Sequence, residues 1–306
     1  MISVCIPIYN FDVRPLVSDL VDEMQKLDAG CEIICIDDAS EDDFKNINGN
    51  YCDKHGTYIQ LYENVGRAQI RNLFLPNAKN DYLLFLDCDS LVYKKDFLES
   101  YIKCIKEKEP LIVCGGRVYP KEKPDRHFML RWKYGWKREV KSLKRRIKKS
   151  HISFQTNNFL IHKELFKQVQ FEGSITQYGH EDTLFGFMMK QIGIPILHID
   201  NPILNGEIET NQEFLYKSEL AVENLVYMNA LLNYNKDFIA AVNLLKWYYR
   251  LKKMRLLFCV STTSFFCKKY LHKKLLSGSG YGTMFKFNLY KLILLHEKTK
   301  KMTVKS

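Results

Sequence analysis

Tyr82-Leu83-Leu84-Phe85-Leu86-Asp87-Cys88-Asp89-Ser90 is a run of five apolar residues that ends on two carboxylates one residue apart. A short continuous apolar run of this kind reads as a buried strand. Alternate residues of a strand share a face, and the chain turns where the strand ends, so Asp87 and Asp89 can converge on one point. Two oxygen ligands at the mouth of a sheet suit a hard divalent cation, Mg2+ or Mn2+, of the kind that carries phosphates. The motif D-x-D is short, and taken alone it reads first as a polar strand end followed by a turn. The chain around it decides between the two.

Upstream, Ile2 to Asn10 is a first strand, stopped by Pro7 and the turn-prone Asn10. From Val13 to Leu27 the apolar residues Leu16, Leu20, Met24 and Leu27 recur at helical spacing. Cys31 to Asp38 is a second strand that again ends on paired carboxylates, and Ser40 is placed to cap a helix with Asp42 and Asp43 in its first turn. Tyr58 to Tyr62 is a third strand, followed by Asn64-Val65-Gly66-Arg67 and a helix to about Leu75. The quoted run is the fourth strand, Phe97 to Ile105 a helix, and Leu111 to Gly116 a fifth strand. Apolar strands alternating with helices across short loops specify an α/β domain with a mainly parallel, doubly wound sheet. In such sheets ligands bind beyond the carboxyl ends of the strands. Pro7–Asn10, Asp37–Asp38 and Asp87–Asp89 all fall on that edge.

Val118 to Ser150 breaks the alternation: it is basic, holds Trp132, Tyr134 and Trp136, and contains a helix from about Val140 to Lys149. Strand-like order resumes at Phe154–Ile161 and again at Ile194–Ile199, with a helix between them that opens at Glu181 and runs to about Ile192. Glu213 to Leu232 is a long helix, and the chain from Phe238 onward is helical in pattern, aromatic and basic. The expected organisation is a catalytic α/β domain over 1–210, with a basic insertion at 131–150, and a helical, basic C-terminal region over 211–306.

With 306 residues, 46% of them hydrophobic, the chain can bury a sizeable core, which excludes wholesale disorder. Met1-Ile2-Ser3-Val4 runs straight into a strand, so no secretory signal is expected, and no apolar stretch reaches the roughly 20 residues of a membrane helix. The nine cysteines sit mostly in apolar runs, as free thiols do in a reducing cytoplasm, and Cys31 and Cys35 lack the second pair that a zinc site needs. The net charge of +11 is uneven. Lys246–Ser306 carries 15 Lys/Arg against one acid, and Arg131–Lys149 carries 10 against one, so the remainder sums to −12. Basic blocks of this kind bind polyanions or anionic lipid surfaces, and nothing matches a nucleic-acid recognition module.

Five motifs occur in order: V-C-I-P-I-Y-N from Val4, I-D-D-A-S from Ile36, N-V-G-R-A-Q-I-R-N from Asn64, L-D-C-D from Leu86 and G-H-E-D-T-L-F-G from Gly179. Together they resemble a family 2 glycosyltransferase of the GT-A fold, over roughly residues 1–210. The resemblance implies a Rossmann-like sheet and inverting transfer of a sugar from a nucleotide-sugar donor, usually a UDP-sugar, with Mn2+ or Mg2+ as cofactor. It implies that Asp38 accepts a hydrogen bond from the base, that Asp89 is the more direct metal ligand with Asp87 reaching ribose or metal-bound water, that Asp182 is the base and that Glu181 supports the acceptor.

The residue chemistry agrees and leaves alternatives open. Asp38 at a strand end can accept from a uracil N–H with Pro7 and Tyr9 walling the base, or Asp37 and Asp38 cap a helix. Gly66 permits close backbone approach, and Asn64, Arg67 and Arg71 can meet phosphate, or Arg71 pairs with a structural acid such as Asp87. Glu181 and Asp182 open a helix, where its dipole favours the carboxylate form; they take an acceptor proton or only cap the helix. Trp132 and Trp136 stack on a sugar or pack, and His180 is a neighbour of the site. Where related enzymes often place a metal-binding histidine after the last core strand, this chain has Asn205, a weaker oxygen ligand, and His198 lies earlier as a strand residue.

In the tail, Lys246, Trp247, Tyr248, Arg250, Lys252 and Lys253 suit an anionic membrane face, where an acceptor on a polyisoprenyl diphosphate would require the enzyme; the alternative is a helical cap. The expected protein is cytoplasmic, peripheral on the inner face of a bacterial membrane, and extends a surface glycan. Two other readings are another nucleotide-sugar-modifying enzyme, which would need a Gly-rich loop after strand one, and a polyanion-binding protein with an inactive transferase core.

Overall fold

Each apolar run forms a strand. The computed structural model describes residues 1–27, 30–175, 177–278 and 282–305, without the side chains of 262–266 and 303–305. In chain order the strands are β1 (Ile2–Ile8), β2 (Cys31–Asp37), β3 (Thr57–Gln60), β4 (Tyr82–Leu86), β5 (Ser90–Leu91), β6 (Ile112–Cys114), β7 (Arg117–Val118), β8 (Asn158–His162), β9 (Leu197–His198) and β10 (Ile203–Asn205). The main sheet has the order β3-β2-β1-β4-β8-β6-β9, and β5-β10-β7 form a second, small sheet. β1 pairs in parallel with β2 and β4, β2 with β3, and β6 with β9. Within the main sheet β8 runs antiparallel, between β4 and β6, and in the small sheet β5 and β10 pair antiparallel. The sheet is thus mainly parallel, as expected of an α/β protein with its ligand edge at the carboxyl ends of β1, β2 and β4.

β4 is buried along its whole length. On one face Leu84 and Leu86 join Val4, Ile6, Leu16, Phe97 and Tyr101 in the core. On the other, Phe85 stacks on Phe159 of β8 at 4.8 Å and meets Phe74 and Phe166 edge-on. Burial of each such side chain stabilises the fold by roughly 1.5–3 kcal/mol, which fixes where β4 must stop and so where Asp87 emerges.

Two local expectations change. Pro7 does not stop β1, which continues to Ile8. The Ile8 carbonyl accepts from Asp38 N–H at 2.8 Å, so alternation turns Pro7 toward β4, whose pairing has already ended at Cys5–Phe85; the missing N–H leaves no ladder bond unmade. Ser40 does not cap the helix Asp42–His55, whose N-cap is Glu41 without a side-chain cap bond. Ser40 Oγ instead accepts from Asn10 N–H at 2.9 Å, and Ser40 N–H donates to Asp37 Oδ1 at 2.7 Å.

The chain groups into two compact units. The first comprises 1–120, 140–176 and 188–207 and holds both sheets. The second comprises 121–139, 177–187 and 208–306. It is helical, with Asn211–Leu231, Asn243–Lys253, Leu257–Leu276 and Thr283–Lys305 as its longest elements. Asn211–Leu231 starts at a capping box in which Thr210 and Glu213 exchange side-chain and backbone bonds. Among the described residues no helix is long and apolar enough to cross a membrane.

The basic insertion is not a uniform surface block. Arg146 is buried and donates to the carbonyls of Cys114 at 3.0 Å and Ile199 at 2.8 Å, and its Nη1 lies 3.2 Å from His198 Nδ1. In the second unit Arg131 is ion-paired with Glu139 at 3.2 Å and Glu209 at 3.0 Å. These two arginines stabilise the fold rather than face a partner.

Asn158 on β8 is fully buried and saturated: Tyr101 Oη donates to its Oδ1 at 2.6 Å, and its Nδ2 donates to the carbonyls of Gly116 and Asn201 at 2.9 Å each. Asn158→Ala leaves all three partners without that bond in a dry interior. A loss of about 3 kcal/mol or more of unfolding free energy is expected, read from urea denaturation; an unchanged midpoint would show that the network is not structural.

Candidate active site

The end of β4 carries a concentration of charge. Asp87 accepts from Arg71 Nη2 at 2.7 Å through Oδ1 and from Arg67 Nη2 at 3.2 Å through Oδ2, and Arg117 Nη2 lies 3.9 Å away. Arg71 is 1% exposed and Arg67 43% exposed. The Arg71 guanidinium also donates to the Arg67 carbonyl at 2.6 Å and lies over the Phe171 ring. Burial works to raise the Asp87 carboxyl, but the guanidiniums of Arg67, Arg71 and Arg117 outweigh it and hold the group below its usual range. The pairing anticipated between Arg71 and Asp87 is therefore present, and Arg67 shares the same carboxylate.

Asp89 stands in the opposite condition. Burial and then the Asp87 charge push its carboxyl up, against weaker help from Arg117 and Arg67. Asn205 Nδ2 donates to Asp89 Oδ2 at 2.8 Å and to the Glu207 carbonyl at 2.9 Å. The small sheet makes this meeting possible, because Asn205 on β10 pairs with Ser90 on β5. Asn205 is thus beside Asp89 as its position in the sequence led one to expect, and it presents a donor nitrogen there. Between the two aspartates the Cys88 thiol is pushed up to about 12 by burial and by both carboxylates, so it stays protonated. Asp89 and Cys88 also line a cleft of about 440 Å³ with Phe11, Leu16, Phe44 and Glu207.

Among the described residues no group of three His, Cys, Asp or Glu side chains converges into a cation cage. The donors present still fit a hard cation of the Mg2+ kind, which is held by one or two carboxylates and completed by phosphate oxygens and water. Asp89 is a half-buried carboxylate whose charge is disfavoured where it stands, a condition that a divalent cation relieves.

At the end of β2, Asp38 Oδ1 accepts from Val65 N–H at 2.7 Å and Oδ2 from Gly66 N–H at 3.1 Å, while Asn64 Nδ2 donates to the Asp38 carbonyl at 3.1 Å. Burial raises the Asp38 carboxyl, and the two backbone bonds oppose that rise. Its first job is therefore to fix the 64–66 loop; each oxygen retains a second lone pair for another donor. Gly66 has φ +83° and Ala39 φ +60°, left-handed values that the loop bonds hold in place. Pro7 is half-buried and Tyr9 is 54% exposed on the same edge.

Glu181 and Asp182 belong to the second unit and open the helix Glu181–Gln191. They follow two left-handed residues, Gly179 (φ +95°) and His180 (φ +69°), and Asn224 donates to the Gly179 carbonyl. Asp182 Oδ1 accepts from Thr183 N–H at 2.6 Å and Thr183 Oγ1 at 3.1 Å, which orients the carboxylate. Burial and then Lys291 lower His180 to about 4, so it is neutral at pH 7. Trp132 and Trp136 pack edge to face at 6.5 Å.

Three residues here were given no role from sequence, Tyr134 being named only as an aromatic of the basic insertion. Arg117 follows Gly115-Gly116 at the end of β6, and its only sequence signal is a cation at that strand end. Tyr134, pushed up to about 12 by burial and then Glu139, also feels the Asp182 charge. Lys291 lies 4.5 Å from the Phe287 ring centre and 5.2 Å from that of Tyr134, and burial lowers it to about 8; nothing in a basic helix marks one lysine from the next.

Residues 3–170, more than half of the chain, match the family described as Glycosyl transferase family 2, and the chain belongs to that family. A glycosyltransferase of Bacillus subtilis, YfnE, itself uncharacterized, is 37% identical over 121 residues, 38% of this chain and 31% of that protein. The chain thus spans about a third of that relative's length. Among solved structures, the mannosyltransferase PcManGT of Pyrobaculum calidifontis, in complex with GDP-Man and Mn2+, superposes with a TM-score of 0.62 at 16% identity, covering 98% of this chain and 86% of that one. Glucosyl-3-phosphoglycerate synthase of Mycobacterium tuberculosis, with Mn2+, UDP and glucosyl-3-phosphoglycerate, gives 0.51 at 12% identity, covering 74% and 79%. Both likenesses show the GT-A fold.

Because the Asp87 carboxyl is depressed in the folded protein, its contribution is full above the unfolded value of about 3.9 and is lost as pH falls through the folded one. Asp87→Asn strands Arg71 without its counter-ion, for which a loss of about 3–5 kcal/mol at pH 7 is expected. In urea titrations the gap to the wild type should narrow below pH about 4; equal stabilities at pH 7 would refute the pairing as a structural element.

Proposed function

We propose that this protein is a metal-dependent inverting glycosyltransferase. It moves a sugar from a nucleoside-diphosphate donor, UDP-linked, to a hydroxyl of a glycan or lipid-linked acceptor in surface polysaccharide synthesis on the cytoplasmic side of the membrane. The observation that carries the reading is the pairing of opposites at the end of β4: Asp89 lacks a dedicated cation, while Asp87 gathers Arg67, Arg71 and Arg117 beside it. A diphosphate arriving with a divalent cation supplies what each half needs. The two ligand-bearing neighbours, one holding GDP-Man and Mn2+ and the other UDP and Mn2+, agree with that donor class.

In this reading Asp89, with Asn205 beside it, would hold a Mn2+ or Mg2+, which would supply Lewis-acid charge for the departing diphosphate. Asp87 aims the guanidinium of Arg67, the more exposed of its partners, toward the phosphates. Asp38 and the 64–66 loop, with Pro7 and Tyr9, receive the base; a single carboxylate accepting one N–H favours uracil. Asp182 takes the acceptor proton as the hydroxyl oxygen bonds to the anomeric carbon, and the bond from that carbon to the diphosphate oxygen breaks on the opposite face, so the configuration inverts. Glu181 supports the acceptor. The Gly-rich loop that a nucleotide-sugar-modifying enzyme would need after β1 is replaced by Pro7-Ile8-Tyr9-Asn10.

Thermal shifts against a panel of nucleotide sugars with Mn2+ test the donor, since a ligand of the native state raises its apparent stability. Asp89→Ala should abolish the Mn2+-dependent shift. Asp182→Ala should keep that shift and lower transfer by about 10²–10⁴-fold. Transfer that survives both changes would sink the mechanism and leave an inactive-core binding protein as the better account. Since Asp89 is held above the usual carboxylate range, the Mn2+-dependent shift should fade on acidification earlier than an exposed carboxylate would allow; a shift constant down to the ordinary carboxylate range would remove Asp89 from the cation.

A further inference from the structure

We propose that the solvent face of the helix Asn243–Lys253, continued by Met254, Arg255 and Phe258, docks the protein on an anionic lipid surface. This stands independently of the transfer chemistry and rests on residues far in sequence from it.

The helix is two-sided. Leu245 and Tyr248 are buried, while Asn243, Lys246, Trp247, Arg250 and Lys253 are exposed. Asn243 with Lys246 and Trp247, then Trp247, Arg250 and Lys253, stand three or four residues apart, which places them along one side of the helix, with Lys246 beside Trp247 widening the stripe. Within and just beyond that stripe stand three large apolar side chains in water: Trp247 at 57% exposure, Met254 at 55% and Phe258 at 65%. Cations flank them at Lys246, Arg250, Lys252, Lys253 and Arg255. The Arg250 guanidinium lies 5.3 Å from the Trp247 ring centre, which leaves its charge at the same level as the indole.

The charge is uncompensated as well as dense. No acid occurs from Phe238 to His296. Three acids of the unit are ion-paired elsewhere, Glu223 with Lys298, Glu297 with Lys268 and Glu209 with Lys217 and Arg131. None of the five cations forms an ion pair with a described acid. Both of the other basic block's buried arginines, by contrast, are tied down.

An anionic bilayer matches both halves of this face. Its surface potential attracts basic side chains, and its headgroup boundary accepts Trp, Phe and Met while long Lys and Arg stems reach back to the phosphates. A free polyanion such as RNA would answer the charge but would leave Met254 and Phe258 in water. Patches that combine exposed apolar groups with a charged rim mark interaction sites, and lipid is the partner for which both components contribute.

The test is co-flotation of the whole protein with vesicles of phosphatidylcholine alone or of phosphatidylcholine with phosphatidylglycerol, at low and high salt. Retention only on the anionic vesicles, weakened by salt, is expected. Lys246→Glu/Arg250→Glu/Lys253→Glu should lower partition by at least about tenfold. These positions are exposed, so the thermal midpoint should hold. Trp247→Phe should remove the blue shift of tryptophan emission on vesicle addition, since Trp132 and Trp136 remain. Trp247→Ser/Met254→Ser should lower partition several-fold. Equal retention of wild type and the charge-reversed variant would overturn the proposal. So would vesicle binding that follows heparin binding in every variant and ignores the apolar changes, which would mark a general polyanion site.

Discussion

A guanidinium cannot be buried without a counter-ion or a full set of acceptors, and Arg71 is buried to 1% exposure. The Asp87 carboxylate is what makes that burial tolerable, and much of the site follows from it. Asp87 must sit where β4 runs out of apolar neighbours, and Ser90 N–H closes a turn onto its carbonyl at 3.1 Å. That turn delivers Asp89 beside Asp87 and starts β5, whose pairing with β10 brings Asn205 to Asp89. Two carboxylates face three guanidiniums, so the cluster has one positive charge in excess before any ligand arrives. The excess suits a diphosphate, and the disfavoured Asp89 charge suits a cation; a divalent cation arriving without the diphosphate would add to the positive excess.

The sequence disclosed this edge because β-strand burial and strand-end carboxylates are local properties. An apolar run followed by acids says where a strand stops whatever its neighbours are, and Asp38, Asp87 and Asp89 were found in that way. Direction is not local: Phe159, Leu160 and Ile161 on β8 would read the same in either orientation, so its antiparallel insertion between β4 and β6 was not legible. The small sheet escaped for another reason. Strands of two or three residues such as Ser90–Leu91 and Arg117–Val118 are shorter than any period that pattern reading can detect. With it went Arg117, which reaches Asp87 from thirty residues away in the chain.

Polar side chains near turns were also misassigned where two loops compete for one group. Ser40 has the position of a helix cap, yet its hydroxyl serves the Asn10 N–H while the Asn10 amide oxygen takes Glu41 N–H at 2.7 Å. The ends of β1 and β2 are latched together in preference to capping either helix. Asp38, only 4% exposed, is also shared: the Val65 and Gly66 amides bond a carboxylate whose strand-end position suggests a base contact. A base N–H would join those bonds rather than replace them.

Backbone conformation points the same way as the bonding. Asn10, Ala39 and Gly66 on the first unit's ligand edge all have positive φ, as do Gly179 and His180 before Glu181. A non-glycine residue held there costs of order 1–3 kcal/mol, and Ala39 lacks even the side-chain bond by which Asn10 offsets part of that. Such strain persists only where surrounding bonds over-determine the loop. Asp37–Ser40, Asn10–Ser40 and Asp38–Val65 supply them around Ala39, and Asn224 with Thr183 does so around His180. Loops so constrained have little freedom left to lose when a ligand binds, which is the energetic advantage of placing strain and saturated polar networks at a binding edge instead of flexible, solvated turns.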